Sequence, residues 1–530
     1  MFLRLLTAFL TVSPLAPAPA ATAAVAAAPA AIAWGTCSEP LLASLGLECA
    51  KADVPLDHAA PGGRTVKIAL ARKAATAPPE RRLGALLVNV GGPGQAGRTL
   101  AAALTVLMPS DLVTRYDIIG YDPRGTGASE PRMSCDPARF APVQPDTVPR
   151  TLADERAQIE VARGYAAACA ARHGDLLPHM RTADNADDLD ALRRALGQDR
   201  ISYLGYGYGS YLGAVYATRH PGTVARMVLD SVVRPSHVWY RHGLDHATAM
   251  NDRARDFFAW IARHKSAYAL GDTPEKVERA YYAARDQVRA RPAGQVVGPR
   301  EFDGTYLAAG YETTWWPMLA AALSALARGD AQPLVDAYRY LAPPDDNDYA
   351  VHSATQCADA PWPRDWDRWR RDAWRLHLRS PFVGWTHVWY NAPCAFWPVP
   401  AGPAEPISGR AVENALLVQA TKDAGAPWPG ALELHAKLPT SRLVLERGGM
   451  SHGVSFLRGN ACVDGYVAAY LADGTLPDDR PGADAACDAP PEPVPAAASN
   501  AATADAGTAA KGAAPVVGAP VSLLMLGRTR

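Results

Sequence analysis

Short, mostly apolar runs, each closed by a turn, constrain this chain more than any other feature. They are GALLVNV (84–90), YDIIGYD (116–122), ISYLGY (201–206), ARMVLDSVV (225–233), ALLVQAT (415–421) and SRLVLERGG (441–449). A strand with one face in water alternates apolar and polar residues. A continuous run reads instead as a parallel strand buried on both faces. Only RTVKIALARKA (64–74) alternates. Helical patterns lie between the runs. The segment ADNADDLDALRRALG (183–197) is amphipathic, with acids in its first turns, where the helix dipole favours them, and Gly197 as its stop. Strands alternating with helices predict an α/β class: a mostly parallel, doubly wound sheet covered on both faces.

The rhythm breaks between residues 234 and 400. This stretch is helix-rich and carries Trp239, Trp260, Trp315, Trp316, Trp362, Trp366, Trp369, Trp374, Trp385, Trp389 and Trp397. It reads as a helical cap inserted between two parts of one core, 34–233 and 401–487. Most of these tryptophans are expected to pack the interior and a few to line a pocket under the cap. Residues 1–33 read as a signal peptide or Ala-rich leader: an apolar start with Arg4, then small-x-small sites such as Ala31-Ile32-Ala33. Residues 488–530 are rich in Ala and Pro and read as a disordered tail. No later run has the length and apolarity of a membrane span.

The chain has 8 cysteines and no C-x-x-C pair. An even count behind an export signal points to disulfides, and a secreted or periplasmic location. Pairing of sequence neighbours is expected: Cys37–Cys49, Cys135–Cys169, Cys357–Cys394 and Cys462–Cys487. Lys plus Arg and Asp plus Glu are 53 each, so no basic field gathers nucleic acid. No metal or other cofactor is called for; the expected partner is a peptide or small-molecule substrate.

Strand, tight glycine turn, helix is the setting of a G-x-S-x-G nucleophile elbow. Here the turn reads Gly205-Tyr206-Gly207-Tyr208-Gly209-Ser210, and the middle position is glycine. Ser210 lies about one helical turn on, with its hydroxyl expected along the helix. Acyl-transfer chemistry needs a nucleophile, an acid-oriented base and N–H donors for the oxyanion, with chain order nucleophile, acid, histidine. Asp423 and His452, each just past a strand, fit the last two roles. Asp230 is the second candidate acid. The glycine loop NVGGPGQAG (89–97) offers Gly91 and Gly92 as oxyanion donors beside the N–H of Tyr208. Arg124, in DPRGTGAS (122–129), is placed to fold back over that loop. Glu312 and Asp359, in the cap, are candidates for holding a substrate amine.

Together, VNVGGPGQAG, YDPRGTGASEPRMSC, TADNADDLDALRRALG, ISYLGYGYGSYLGAVYA, LLVQATKDAGAPWPGA, LVLERGGMSHGVSF and CVDGYVAAYLADGTLP resemble the secreted tripeptidyl aminopeptidase-like branch of the α/β-hydrolases, related to proline iminopeptidases. The resemblance spans roughly residues 34–487. It implies an α/β-hydrolase core, a helical cap, and a C-terminal module at 401–487 that supplies Asp423 and His452. It also implies serine-dependent release of short peptides from free N-termini. The family pattern at the elbow is G-Y-S-Y-G-T, so Gly207 stands where the serine would be and Ser210 matches the threonine. Three readings follow: a family member with absent or very low activity, in which water activated by His452 would use the room left by Gly207; a non-catalytic binder of peptides or small ligands; or an active hydrolase in which Gly207 is an engineered or erroneous residue.

Overall fold

The apolar runs become the middle of one ten-stranded sheet. The computed structural model describes residues 31–342, 345–409 and 414–495. Its strands are β1 (Gly35–Thr36), β2 (Glu48–Pro55), β3 (Thr65–Lys73), β4 (Gly84–Asn89), β5 (Tyr116–Asp122), β6 (Ile201–Tyr206), β7 (Val224–Asp230), β8 (Ala415–Ala420), β9 (Arg442–Arg447) and β10 (Ala485–Asp488). Their order across the sheet is β1-β2-β3-β5-β4-β6-β7-β8-β9-β10. The β1–β2, β2–β3 and β3–β5 pairs are antiparallel, and every pairing from β5–β4 to β9–β10 is parallel.

Alternation along each buried strand feeds two cores. Leu87, Ile119, Tyr203, Leu229 and Leu417 belong to one cluster, with Leu189 and Leu192 of helix Thr182–Ala195 and Leu212 and Val215 of helix Tyr208–Arg219. Leu86, Val88, Ile118, Leu204, Val228 and Val418 belong to the other, with Leu100 and Leu104 of helix Arg98–Leu107 and Val463 and Val467 of helix Ala461–Asp473. This period-two division fixes the register of the strands, because a slip of one residue would exchange the two faces.

All the helices from Tyr240–Arg263 to Gly384–Asn391 lie between β7 and β8. The helices from Tyr240–Arg263 to Gln332–Leu341 share a core of their own, which includes Phe257, Trp260, Tyr281, Phe302 and Trp316, whereas Tyr349, Trp369, Trp385 and Trp389 pack into the first of the sheet's two cores. Trp362, Trp366, Trp369, Trp385 and Trp389 form a stacked series with neighbouring centroids 5.2–5.8 Å apart. Packing is thus the main role of the tryptophans.

The cysteines pair as sequence neighbours: Cys37–Cys49, Cys135–Cys169, Cys357–Cys394 and Cys462–Cys487. Among the described residues no helix is long and apolar enough to cross a membrane. Most of the expected leader and tail (1–30 and 496–530) lies outside the described residues. Two expectations need correction at this level. The tail does not begin at 488: the Ala489 N–H donates to the Arg447 carbonyl, and Pro493 accepts from the Trp260 indole at 3.0 Å. Glu492 also pairs with Arg263, so residues 489–495 run onto a cap helix. Arg124 turns away from the glycine loop. It is fully buried, donates to both oxygens of Asp188 at 2.8 and 2.6 Å, and reaches the carbonyls of Pro55, Leu56 and His179.

Removing one member of a buried ion pair leaves the other uncompensated, at about 3–5 kcal/mol. Arg124→Met should therefore lower the urea midpoint sharply. The double variant Arg124→Met/Asp188→Leu should recover much of the loss. A double variant no better than the single one would show that Asp188 does not need its partner.

Candidate active site

The carboxyl ends of β6, β7, β8 and β9 converge beneath the cap. Between β6 and helix Tyr208–Arg219 the chain turns on Gly207, with φ 54° and ψ −117°. Few L-residues adopt that conformation without strain, and glycine adopts it freely. Tyr208 opens the helix, so its N–H has no acceptor within the helix. Gly91 lies against this turn: a Cβ on it would meet the Tyr206 carbonyl at 2.5 Å. Only glycine permits so close an approach.

His452 follows β9. Its Nδ1 lies 3.0 Å from each carboxylate oxygen of Asp423, which is itself buried and accepts from the Ala426 N–H. That arrangement places a proton on Nδ1 and leaves Nε2 with its lone pair. Nε2 faces Gly207: a Cβ on Gly207 would lie 2.6 Å from it. On the other side, a Cβ on Gly425 would lie 2.6 Å from Nδ1. The imidazole thus stands in a slot between two glycines, with its side chain 23% exposed. Burial works against protonating it; the charge of Asp423 and the hydrogen bond to it outweigh burial, so its pKa lies above the ordinary value. The ring also takes up much of the room expected for a water at Gly207.

Asp230, the second candidate acid, does different work. It is fully buried and accepts from the N–H groups of Val454 and Ser455 and from the hydroxyls of Ser231 and Ser455. It anchors the loop that carries His452. Burial raises its pKa. Ser210 is turned inward, donating to the Gly207 carbonyl at 2.6 Å and accepting from the Val233 N–H at 3.0 Å.

Three expected site residues already have partners of their own. The Gly91 N–H is already given to the Asn89 side chain at 2.9 Å, which leaves Gly92 as the loop's candidate oxyanion donor beside Tyr208. Asp359 is buried and accepts from the Thr182 N–H, the Thr182 hydroxyl and the Trp239 indole. Burial pushes its carboxyl up to about 6. Glu312 is paired with Arg458 at 2.6 Å. Neither carboxylate stands free for a substrate amine.

Sequence reasoning missed the roof of the cleft. His242 and His246 come from helix Tyr240–Arg263, His352 from Asp346–Asp359 and His387 from Gly384–Asn391. The His246 and His387 rings lie 5.5 Å apart, and His246 Nε2 is 2.9 Å from the Tyr311 hydroxyl. The Tyr311 ring lies 5.8 Å from His452. Burial lowers the pKa of His242 and His352 to about 4 and of His387 to about 3, and holds His246 well below its usual value. The roof is therefore polar but neutral at pH 7. The i, i+4 spacing of His242 and His246 was the one signal available in the sequence.

Two outcomes follow. Gly207→Ala should lower the unfolding midpoint by about 1–3 kcal/mol equivalent, because the methyl meets both positive φ and the imidazole; an unchanged midpoint would mean that His452 moves aside freely. The roof histidines have folded pKa values below the unfolded value of about 6.5. Their contribution to stability is complete above that pH and is lost as pH falls toward about 4. Thermal scans should show the midpoint dropping across this window, and His387→Gln should flatten the drop.

The chain matches two family models and several curated relatives in sequence. The family model for the alpha/beta hydrolase fold matches residues 84–288, and that for TAP-like protein matches residues 380–487. Tripeptidyl aminopeptidase of Streptomyces lividans is 40% identical over 471 residues, covering 86% of this chain and 87% of the relative. Serine protease Hip1 of Mycobacterium tuberculosis is 31% identical over 466 residues, covering 82% and 86%. Carboxylesterase B of the same species is 31% identical over 466 residues, covering 84% and 88%. With this fold, and with the second family model falling on the segment that holds Asp423 and His452, the chain belongs to the tripeptidyl aminopeptidase-like family of α/β-hydrolases.

Proposed function

We propose that this chain is an exported family member that binds short peptides, or a related small ligand, beneath its cap and has lost the serine route to hydrolysing them. One observation carries this reading: the elbow presents no side chain at position 207, while the Asp423–His452 pair remains joined and faces it. Asp423 holds the Nδ1 proton and orients the imidazole, and the Nε2 lone pair is the base. The N–H groups of Tyr208 and Gly92 are the oxyanion donors. With no hydroxyl at 207, no acyl-enzyme forms there. Loss of a serine nucleophile reduces turnover by about a million-fold, leaving about a thousand-fold over water from binding and oxyanion effects. The closeness of Nε2 to Gly207 favours the binding reading over efficient use of a water. The peptide ligand is supported by the relatives named for peptidase activity, and export by the four disulfides.

The test compares the unmodified protein with Gly207→Ser on chromogenic tripeptides and esters. The unmodified protein should take no covalent label from a fluorophosphonate, and its turnover should lie several orders of magnitude below that of Gly207→Ser. Ordinary enzyme rates and strong labelling without the substitution would sink the proposal. Peptide binding by calorimetry with no gain from Gly207→Ser would leave the binder alone standing.

A further inference from the structure

The loop bearing His452 is held from two sides, and only one of them is the core. On the core side, Asp230 takes the N–H groups of Val454 and Ser455, and the Ser231 hydroxyl takes the Gly453 N–H at 2.7 Å. On the cap side, the His452 N–H donates to the Tyr311 carbonyl at 2.8 Å. Tyr311 ends helix Pro299–Tyr311, and the next residue is Glu312. Arg458 closes the circuit. Its Nη2 donates to the His452 carbonyl at 2.8 Å and its Nε to the Gly453 carbonyl at 3.0 Å, and its Nη1 lies 2.6 Å from Glu312. Consecutive residues of the cap thus grip both the N–H of His452 and the arginine that holds its carbonyl.

We propose that Glu312 and Arg458 are a positioning pair through which the cap fixes the His452 imidazole in its slot between Gly207 and Gly425. This rests on the reading of His452 as the base. The pair is well enclosed, with the Arg458 side chain 14% and the Glu312 side chain 11% exposed, so solvent screens it little. A planar guanidinium that binds two carbonyls and a carboxylate at once sets direction as well as distance. A shift of the cap helix is therefore transmitted to the imidazole by two routes, the Tyr311 carbonyl and the Arg458 fork.

The pair also carries charge. Facing His452 are the anions of Asp423, in contact, and Asp230, behind the loop; the cation of Arg458; and, from the cap, the Tyr311 ring and the neutral His242 and His246. Arg458 disfavours a proton on His452, and Glu312 balances Arg458. Removing one partner or the other should thus act in opposite directions.

The experiment uses the full chain with isotope-labelled histidine, following the His452 ring by NMR through a pH titration and assigning it by its loss in His452→Gln. Glu312→Gln leaves the cation unbalanced and should weaken proton binding at His452 by about threefold or more. Arg458→Met removes the cation and should strengthen it by a similar factor. The double variant should return close to the starting value. Shifts of the same sign in both single variants, or none in either, would overturn the proposal, since damage to packing alone has no reason to reverse sign. If Arg458→Met does not fold, Arg458→Lys keeps the charge and loses the fork: hydrogen exchange at the His452 amide should then quicken at unchanged proton affinity, and unchanged exchange would count against the pair. No readout depends on turnover, so failure here is distinct from failure of the proposed function.

Discussion

The turn at Gly207 sets the geometry from which the rest of the cleft is built. A backbone at φ 54° and ψ −117° reverses the chain between β6 and the following helix. It brings the Tyr208 N–H to the end of the sheet and leaves position 207 as the innermost point of the cleft. Gly91 can lie against the Tyr206 carbonyl only because it has no side chain. The strand order then decides what arrives opposite. β7 pairs with β6 in register, Tyr206 beside Asp230, and β8 and β9 follow outward with Asp423 and His452 just beyond their ends. A side chain at 207 would project toward Nε2, and its absence lets the imidazole come within van der Waals reach of the turn itself.

Much of this was legible in the sequence, and the reasons differ from case to case. The buried strands announce themselves because a strand with no wet face need not alternate polar with apolar residues, and β4, β5, β6 and β8 are buried along nearly their whole length. Asp423 and His452 were legible because strand ends in a parallel sheet lie on one edge, whatever the distance along the chain. The disulfides joined sequence neighbours, where loop closure is least demanding. Chain order does not choose between Asp230 and Asp423, since both follow position 207 and precede His452; the strand-end spacing of Asp423 to His452 and the family resemblance favoured Asp423. Both are strand-end acids; only the three-dimensional path of the loop shows that the amides of Val454 and Ser455 and the Ser455 hydroxyl take up the Asp230 oxygens.

What was not legible depended on partners far apart in the chain. Asp359 looked like a free cap acid until Thr182 and Trp239 came to it, and Glu312 until Arg458 did. The Gly91 N–H is claimed by a side chain two residues away, a local bond that a glycine-rich motif does not advertise. The neutral roof draws histidines from three cap helices, and no periodicity along one helix can report that convergence. The tail followed composition in its expectation of disorder, yet Glu492 and Pro493 find Arg263 and Trp260 on a helix more than half the core away in sequence. Composition measures what a segment can bury, and not what a neighbouring surface offers it.

The glycine at the elbow places stability and chemistry on opposite sides of one backbone angle. Holding an L-residue at a strained turn takes about 1–3 kcal/mol, which a glycine does not require. A serine there lowers an acyl-transfer barrier by an amount equivalent to about a million-fold, or about 8 kcal/mol. The second quantity is several times the first, so strain relief alone is a poor return for the loss of turnover if turnover is the purpose. Binding uses different parts: the cap, its neutral histidine roof and the floor formed by the strand ends. None of these depends on an atom at position 207. The retained Asp423–His452 contact is compatible with either role, because a buried carboxylate and imidazole satisfy one another's hydrogen bonds whether or not a proton is ever transferred. The physical case for binding therefore rests on the cleft walls, and the case for catalysis on whether the imidazole can withdraw far enough to admit a nucleophile.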